Sequence, residues 1–245
     1  MRIKILIIGV LVIKSFSVGF PDSYYKIQGI ENQKKAFIKI LLPLIEKGNH
    51  IVMNERIFAK RFFRNALNNS FRGLDTESLA ELIYLSQKYK IKDFFAENKY
   101  LKRIDIIPVS LALAQAALES GWGKSRFIKE ANNIFGHWTY GDKGLIPNDR
   151  EEGKTHKIRI FATLQSSVNA YILNLNRNMA YKTFREKREQ FREKHKIFNG
   201  LDASKTMINY SELKEKYVEM LDNLINTTNL LYYDSYNPAA LMDSA

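Results

Sequence analysis

An apolar, alanine-rich stretch that ends in a glutamate and two glycines constrains this chain more than any other feature. Within residues 111–136, apolar side chains recur at helical spacing as far as Leu118, and the alanines between them permit close packing. The run therefore predicts a helix deep in the domain. Glu119 stands at its end, where a carboxylate is costly unless it is paired, protonated or open to a cleft. Gly121 and Gly123 then break the helix and let backbone or a ligand approach closely.

Taken alone, Glu119 is readily explained as a helix-end side chain that reaches solvent, because perturbed carboxylates are a minority. Its neighbours change this interpretation. The chain reads Ala-Gln-Ala-Ala-Leu-Glu-Ser-Gly-Trp-Gly at 114–123 and Asn-Asn-Ile-Phe-Gly at 132–136. These motifs resemble the bacterial glucosaminidase family of cell-wall hydrolases (glycoside hydrolase family 73), and the Bax-like branch of that family in particular. The resemblance covers about residues 104–184 and says little about residues 20–100.

The resemblance implies a mainly α, lysozyme-like fold with a small β-lobe, preceded by an N-terminal helical extension. It implies a hydrolase that cleaves the β-1,4 bond of peptidoglycan after N-acetylglucosamine, with Glu119 in the place of the family's catalytic glutamate. A second carboxylate is proposed on the β-lobe of that family. The candidates in the predicted lobe are Asp142, Asp149, Glu151 and Glu152. Glu152 is the first choice and Glu151 the next, although both also suit exposed loop charges. A functional tyrosine after the second helix of the family points to Tyr181, which would orient water or contact the 2-acetamido group.

A further set of residues in or near these motifs are candidate contacts to the sugar: Gln115, Trp122, Asn132, Asn133, Phe135, His137, Trp138 and Tyr171. Several of them have an equally simple structural explanation. The aromatic rings of Trp122, Phe135 and Tyr171 suit a packed core as well as a binding cleft. Asn133 suits a turn cap, and Tyr181 suits a core position.

Glycoside hydrolysis itself needs a proton donor for the leaving oxygen and a second group that activates water or stabilises the cation. Apolar packing around Glu119 would raise the pKa of its carboxyl, as a proton donor requires. Other chemistries fit poorly, because the chain has no phosphate-binding Gly-rich loop and no Gly-x-Ser-x-Gly elbow. No metal or cofactor is expected, because the histidines lack metal-ligand spacing: His50, His137, His156 and His195.

Residues 1–19 have the pattern of a secretory signal peptide. A short basic start precedes an apolar run at 5–13, and Ser17-Val18-Gly19 offers a small-x-small cleavage site. An uncleaved membrane anchor is the alternative. The chain has no cysteine, so disulfides and thiol chemistry are excluded.

The basic character belongs to the exported part of the chain. The whole chain carries a net charge of +12, and removing Arg2, Lys4 and Lys14 lowers it by three, to +9. Such a balance favours an anionic partner. For an exported protein we expect peptidoglycan glycan strands, whose peptides and lactyl groups carry carboxylates, and not nucleic acid. The expected location is the periplasm or cell envelope, as a monomer with no membrane span after signal cleavage.

The predicted organisation is a signal peptide at 1–19, an N-terminal helical region at 20–100, a catalytic domain at 101–228 and a C-terminal tail at 229–245. Within it we predict these local features: a helix over 24–50 bent or split by Pro43, a helix capped by Asp75 or Thr76, a linker at 91–104, Asp105 as the cap of the central helix, a β-lobe within 137–161, a helix from Thr163 or Ser166, a solvated helix over 184–196, helices over 204–210 and 212–226, and a loosely held tail.

Two other functions stay open. A lytic transglycosylase or a muramidase uses a lone glutamate in a similar way, and its products have different ends. A non-catalytic wall-binding or assembly protein would keep the fold without turnover. Binding to a membrane surface through the basic helices is a third possibility.

Overall fold

The computed structural model describes residues 18–147, 150 and 153–235, which form a helical body with one small sheet. The helices are α1 Asp22–Tyr25, α2 Ile30–Asn68, α3 Thr76–Tyr89, α4 Glu97–Arg103, α5 Val109–Ser120, α6 Arg126–Ala131, α7 Leu164–Arg177, α8 Lys182–Glu193, α9 Gly200–Ser204, α10 Glu215–Thr227 and α11 Tyr232–Ser235, with a 3-10 turn at Met179–Tyr181. Strands β1 (Trp138–Thr139) and β2 (Lys157–Ile158) pair antiparallel. The predicted mainly α fold with a small β-lobe is confirmed. Most of the predicted signal peptide lies outside the described residues.

The long helix α2 runs through Pro43 without a break. A proline inside a helix removes one backbone hydrogen bond. Pro43 and Lys39, whose carbonyl loses its partner, both lie on the exposed face, so water can replace that bond. The opposite face is apolar and buried at helical spacing, through Phe37, Leu41, Ile45, Val52, Ala59, Phe63 and Ala66. No helix in the described part of the chain is both long and apolar enough to cross a bilayer.

Helix α5, which ends next to Glu119, lies at the centre of the body. Ten of its twelve residues are buried, and it contacts α2, α9, α10 and α11. The buried side chain of Asn49 on α2 holds the segment just before α5. It donates to the Ile107 carbonyl at 2.8 Å and accepts from the Ile107 amide at 3.0 Å. Residues 20–100 therefore pack into the same hydrophobic core as the predicted catalytic helices.

The sequence predicted that Asp105 caps the central helix, and this prediction is wrong. Helix α5 begins at Val109 behind Pro108, and the Asp105 side chain is buried among three arginines. Arg192 forms a two-pronged ion pair with it, Arg188 lies 3.5 Å away and Arg56 lies 3.8 Å away. Burial alone would raise the pKa of Asp105, but the three guanidinium groups hold it well below its usual range.

The predicted solvated helix over 184–196 is wrong in part, because α8 buries Arg185 and Arg188. Buried arginines are tolerated where carbonyl oxygens satisfy their N–H groups. Arg188 donates to the carbonyl of Lys102 in the last turn of α4 and to those of Asp105 and Ile106 just past its end, at 2.9–3.2 Å. The prediction of a linker at 91–104 is also wrong in part, because Glu97–Arg103 form helix α4.

The C-terminal helices differ in register from the prediction. A short helix α9 begins at Gly200, because the Asn199 side chain accepts from the Asp202 amide at 3.0 Å. Turns replace the predicted helix over 204–210, and α10 begins at Glu215. Two predicted caps are confirmed: Asp75 accepts from Ser78 at 2.7 Å, and Thr163 forms a capping box with Ser166.

The tail is not loosely held over its described part. The Asp234 carboxylate accepts hydrogen bonds from the Ser110 amide at 2.9 Å, the Ser110 hydroxyl at 2.5 Å and the Gly200 amide at 2.9 Å. These amides lie in the first turns of α5 and α9, where helices leave backbone N–H groups without partners. Asp234 in the tail thus caps the central helix α5, the role that the sequence predicted for Asp105.

We expect Asp234→Ala to lower the free energy of unfolding by about 1–3 kcal/mol, because two buried amides and one hydroxyl lose their acceptor. The measurement is urea denaturation at neutral pH. Glu219→Ala, which removes an exposed carboxylate from α10, is the control and should change stability by less than about 0.5 kcal/mol. Equal effects of the two substitutions would contradict the assigned cap.

Candidate active site

A left-handed turn ends α5 and fixes the position of Glu119. Gly121, Trp122 and Gly123 all have positive φ, at 55°, 56° and 76°. The Trp122 amide donates to the Ala117 carbonyl at 2.9 Å, the bond that closes a Schellman-type helix end. The Ser120 hydroxyl accepts from the Gly123 amide at 2.9 Å. Glu119 is therefore held on the last turn of a buried helix by backbone geometry.

The N-terminal residues of the described chain support this turn from outside. A Cβ added to Gly123 would lie 2.3 Å from Cε2 of Phe20, so only glycine fits beneath that ring. The Tyr24 hydroxyl donates to the Trp122 carbonyl at 2.5 Å. The Trp122 ring packs edge-on against Phe37 of α2, with centroids 5.2 Å apart. Trp122 thus packs against the N-terminal region.

The Glu119 carboxyl is half-buried and receives one hydrogen bond. The Tyr217 hydroxyl on α10 donates to its Oε1 at 2.8 Å. Burial raises the pKa of Glu119, and the bond from Tyr217 opposes that rise only in part. The net result is a carboxyl that keeps its proton at higher pH than an ordinary glutamate does.

The second carboxyl oxygen, Oε2, lies beside a glycine. In the described part of the chain Oε2 has no hydrogen-bond partner, whereas Oε1 is held by Tyr217. Gly136, at φ 66°, lies beside it, and a Cβ at this position would come within 3.6 Å of Oε2. The Cβ of any other residue at this position would contact the carboxyl, and the rest of its side chain would extend from there. Because residue 136 is a glycine, no side chain from this position fills the space beside Oε2.

Four tyrosines surround Glu119: Tyr171, Tyr181, Tyr210 and Tyr217. The rings of Tyr210 and Tyr217 are parallel with centroids 5.6 Å apart, and Tyr181 lies 5.9 Å from Tyr210. The negative charge of Glu119 adds to burial in raising the pKa of each tyrosine, to about 12 for Tyr181. All four hydroxyls therefore stay protonated through the neutral range.

Gln115 and Tyr171 lie behind Glu119 and are fully buried. The Tyr171 hydroxyl donates to Oε1 of Gln115 at 2.6 Å, and Nε2 of Gln115 donates to the Tyr217 hydroxyl at 3.1 Å. The Tyr171 ring stacks on Phe135, with centroids 3.9 Å apart. The structure thus brings Gln115, Phe135 and Tyr171 to the site as a layer beneath the carboxyl.

The two asparagines of the motif bind backbone. Asn132 accepts from the Gly19 amide at 2.8 Å and donates to the Phe161 carbonyl at 3.1 Å. Asn133 accepts from the His137 amide at 3.0 Å and donates to the carbonyls of His137 and Arg159 at 2.9 and 2.8 Å. Both side chains connect the β-lobe to α6 and so hold the wall of the site in place.

The β-lobe presents an exposed aromatic ring. Trp138 on β1 is 55% exposed and stacks on His156, with centroids 4.2 Å apart. His137, one residue earlier, is partly buried between Phe135 and Phe161. Burial and the nearby Arg159 lower the pKa of His137 to about 4, so its ring is neutral. Only Trp138 of this pair offers a free face.

The predicted second carboxylates, Glu152 and Glu151, lie outside the described residues. Tyr181 is buried beside Tyr210 and not bonded to Glu119 among the described residues. The residue that does bind Glu119, Tyr217, is not among the site residues predicted from the sequence. A tyrosine at a buried stripe position needs a partner for its hydroxyl, and that signal could have identified it.

Comparisons with known proteins identify the family of this chain. Residues 96–230 match the sequence profile of the glucosaminidase family, described as mannosyl-glycoprotein endo-beta-N-acetylglucosaminidase. Protein bax of Escherichia coli (strain K12) is 33% identical over 167 residues, which cover 66% of this chain and 57% of that protein. Peptidoglycan hydrolase FlgJ of Salmonella typhimurium is 30% identical over 107 residues, which cover 37% of this chain and 34% of that protein. The chain thus spans about half or less of these relatives.

One solved structure is distantly similar. It is the catalytic domain of the autolysin Auto from Listeria monocytogenes, with a TM-score of 0.40 and 20% sequence identity. The similarity covers 72% of this chain and 87% of that one.

Proposed function

The chain belongs to the glucosaminidase family, and from this membership we propose that it is a peptidoglycan hydrolase that cleaves the β-1,4 bond after N-acetylglucosamine. Protein bax and FlgJ share only part of their length with it, so the substrate is inferred from the site as well as from the family. We propose further that it is exported and acts in the cell envelope as a monomer, where its basic surface meets the carboxylates of the wall.

The observation that carries this proposal is the state of the Glu119 carboxyl. One oxygen is held by Tyr217, the other is open beside Gly136, and burial raises the pKa. A general acid in glycoside hydrolysis needs these properties, since it must hold a proton near neutral pH and present it to the leaving oxygen.

In the proposed mechanism Glu119 donates its proton from Oε2 to the glycosidic oxygen as the bond to the anomeric carbon breaks. The carboxylate that remains is stabilised by the hydrogen bond from Tyr217 to Oε1. This bond favours the charged form, so it strengthens as the proton leaves. Water then adds to the anomeric carbon. We assign its activation to Glu152 or Glu151, which stand between β1 and β2 in the sequence.

The sugar-contact residues divide into two proposed roles. Trp138 has a free aromatic face on the β-lobe, and we propose that it stacks on a sugar ring. Gln115, Asn132, Asn133, Phe135 and Tyr171 have buried side chains, and we propose that they shape the cleft from beneath. Trp122 and His137 have the same supporting role in this proposal. Tyr181 remains a candidate for orienting water or the 2-acetamido group, because it lies close enough to Glu119 to feel its charge.

Product analysis tests the proposed bond. Purified peptidoglycan is digested with the protein, reduced with borohydride and analysed by mass spectrometry. The proposal predicts fragments that end in reduced N-acetylglucosamine. Reduced muramic acid ends would identify a muramidase, and anhydro-muramyl ends a lytic transglycosylase. Sedimentation with the wall and no fragments would leave a non-catalytic wall-binding protein.

We expect Tyr217→Phe to move the high-pH limb of the cleavage rate to higher pH. The substitution keeps the ring stacked on Tyr210 but removes the hydrogen bond that lowers the pKa of Glu119. The acid form then persists further, while the rate at the optimum falls because the departing carboxylate is less stabilised. Rates between about pH 4 and 9 measure both effects.

The control for Tyr217→Phe is Tyr100→Phe, which removes a hydroxyl from another buried tyrosine on α4. Tyr100→Phe should leave the high-pH limb of the cleavage rate at the same pH as in the wild type. If Tyr217→Phe also leaves this limb unchanged, the assigned role of the hydrogen bond from Tyr217 to Glu119 is contradicted.

A further inference from the structure

Three hydrogen bonds connect four side chains in one line that ends at Glu119. The line begins at the Tyr171 hydroxyl on α7, passes through the Gln115 amide on α5 and the Tyr217 hydroxyl on α10, and reaches Oε1 of Glu119. Its distances are 2.6, 3.1 and 2.8 Å. Gln115 and Tyr171 are fully buried and Tyr217 nearly so, so water does not compete for these bonds.

The direction of the line follows from counting protons. A tyrosine hydroxyl donates one proton, and an amide has one oxygen that accepts and one nitrogen that donates. With Nε2 of Gln115 facing Tyr217, the Tyr217 hydroxyl accepts from the amide and its proton goes to Glu119. With the amide reversed, the Tyr217 proton can go to Oε1 of Gln115 instead, and Glu119 loses its donor.

Tyr171 decides between these two orientations. Within the described chain Gln115 is the only hydrogen-bond partner of the Tyr171 hydroxyl. If the amide reversed, the Tyr171 proton would have no acceptor, and a buried donor without an acceptor costs free energy. The orientation with Nε2 toward Tyr217 gives each polar atom of the line at least one hydrogen-bond partner.

We propose that Tyr171 is a positioning residue: by donating to Gln115 it fixes the amide so that Tyr217 donates to Glu119 and not to Gln115. This inference rests on the proposed role of Glu119 as the acid and adds a residue that controls it without touching the sugar. We call the three residues that precede Glu119 in the line, Tyr171, Gln115 and Tyr217, the positioning relay.

The titratable groups that face Glu119 do not titrate in the pH range in which the Glu119 carboxyl does. They are Tyr171 on α7, Tyr181 in the 3-10 turn, Tyr210 before α10 and Tyr217 on α10. Burial and the Glu119 charge keep the pKa of each above the ordinary tyrosine value, so none of them changes charge between about pH 3 and 9.

The test is a carbon-detected NMR titration of the Glu119 carboxyl in the full chain, with Glu119→Gln used to assign the signal. In Tyr171→Phe the ring that stacks on Phe135 is kept and only the hydroxyl is lost. The amide can then reverse without leaving a hydroxyl proton unpaired at position 171, so Glu119 loses part of its donor, and the titration midpoint rises by on the order of half a pH unit.

A double variant separates the relay from simple packing. In Tyr171→Phe with Gln115→Leu, Tyr217 has no amide to donate to, so its proton returns to Glu119. The relay predicts that the midpoint falls back toward the wild-type value, although two buried residues are now changed. A loss of packing would instead give a larger disturbance in the double variant than in the single one.

Tyr89→Phe is the matched control, because Tyr89 is a fully buried tyrosine that donates to Glu55 at 2.5 Å, outside the relay. It should lower the melting temperature and leave the Glu119 midpoint unchanged. An unchanged midpoint in Tyr171→Phe, or a double variant that does not reverse the rise, would overturn the relay. The titration needs no substrate, so a failure of the proposed hydrolase activity would show separately, in the product analysis.

Discussion

Replacing Glu119 with glutamine is expected to lower the rate of glycan cleavage by about 10³-fold, the usual contribution of a positioned proton donor. Glutamine keeps an oxygen that can accept the bond from Tyr217 but has no proton of carboxylic acidity to give. Release of new reducing ends from purified peptidoglycan measures the rate, and sedimentation with the wall measures binding. Binding should persist in the variant.

The same substitution should not destabilise the protein. A carboxyl whose folded pKa is raised above its unfolded value contributes stability below the unfolded pKa and loses it as pH rises through the folded pKa. Glu119→Gln removes that loss, so its melting temperature should equal the wild-type value in acid and exceed it at neutral pH. Glu130→Gln is the control for both measurements: Glu130 is exposed on α6, and its side chain lies 3.8 Å from Arg126. A full wild-type rate in Glu119→Gln would contradict the assignment of the acid.

Replacing Asp105 with asparagine is expected to have the largest effect on stability. The substitution removes the carboxylate that lies within 4 Å of the guanidinium groups of Arg56, Arg188 and Arg192, and the Arg188 side chain is almost fully buried. Breaking a buried ion pair from one side costs about 3–5 kcal/mol, because the remaining charge stays desolvated. Urea denaturation at neutral pH measures the loss.

The effect of Asp105→Asn should depend on pH in a defined direction. The arginines hold the pKa of Asp105 well below its usual range, so its contribution is present above the unfolded pKa of about 4 and is lost as pH falls through the folded pKa. The difference in the free energy of unfolding between the wild type and the variant should therefore become smaller only in strong acid. Glu189→Gln is the control, since its partly exposed pair with Lys102 is worth less than about 1 kcal/mol. A similar, small loss in both variants would contradict the account of the buried cluster.

The sequence predicted the elements whose signals are local. The helix that ends at Glu119, the caps at Asp75 and Thr163 and the β-lobe between α6 and α7 all follow from patterns within a few residues. Helical spacing and cap residues act over one or two turns, so they can be recognised without knowing the rest of the fold.

The errors concern contacts between distant segments. Asp105 has the residue type of a helix cap, but its partners come from α2 and α8, and the true cap, Asp234, comes from the tail. Arg188 belongs to a strongly charged run and is buried all the same, because backbone carbonyls past α4 accept its N–H groups. Such pairings depend on which helices become neighbours, and that information is not present in any short segment.

The site shows the same division. The motif around Glu119 was sufficient to identify the candidate acid, because the Gly-Trp-Gly turn is contiguous with it. Tyr217 lies 98 residues further along the chain, and its place beside Glu119 depends on how α10 packs against α5. Asn132 and Asn133 belong to the second motif, but their backbone partners show them as supports of the β-lobe.

The N-terminal region is built into this site. Phe20 covers Gly123, Tyr24 binds the Trp122 carbonyl and Phe37 packs on the Trp122 ring, all on the turn that follows Glu119. Residues at the start of the N-terminal region therefore support the turn that follows the candidate acid through direct contacts.

The most direct test of the central claim is a structure of Glu119→Gln with a bound glycan fragment, in which one distance is measured. The account predicts that the side-chain amide at position 119 lies within about 2.6–3.2 Å of a glycosidic oxygen, on the side that faces Gly136. It also predicts that Tyr217 still holds the other end of the side chain. A glycan bound with every glycosidic oxygen out of reach of this residue would contradict the claim that Glu119 is the acid.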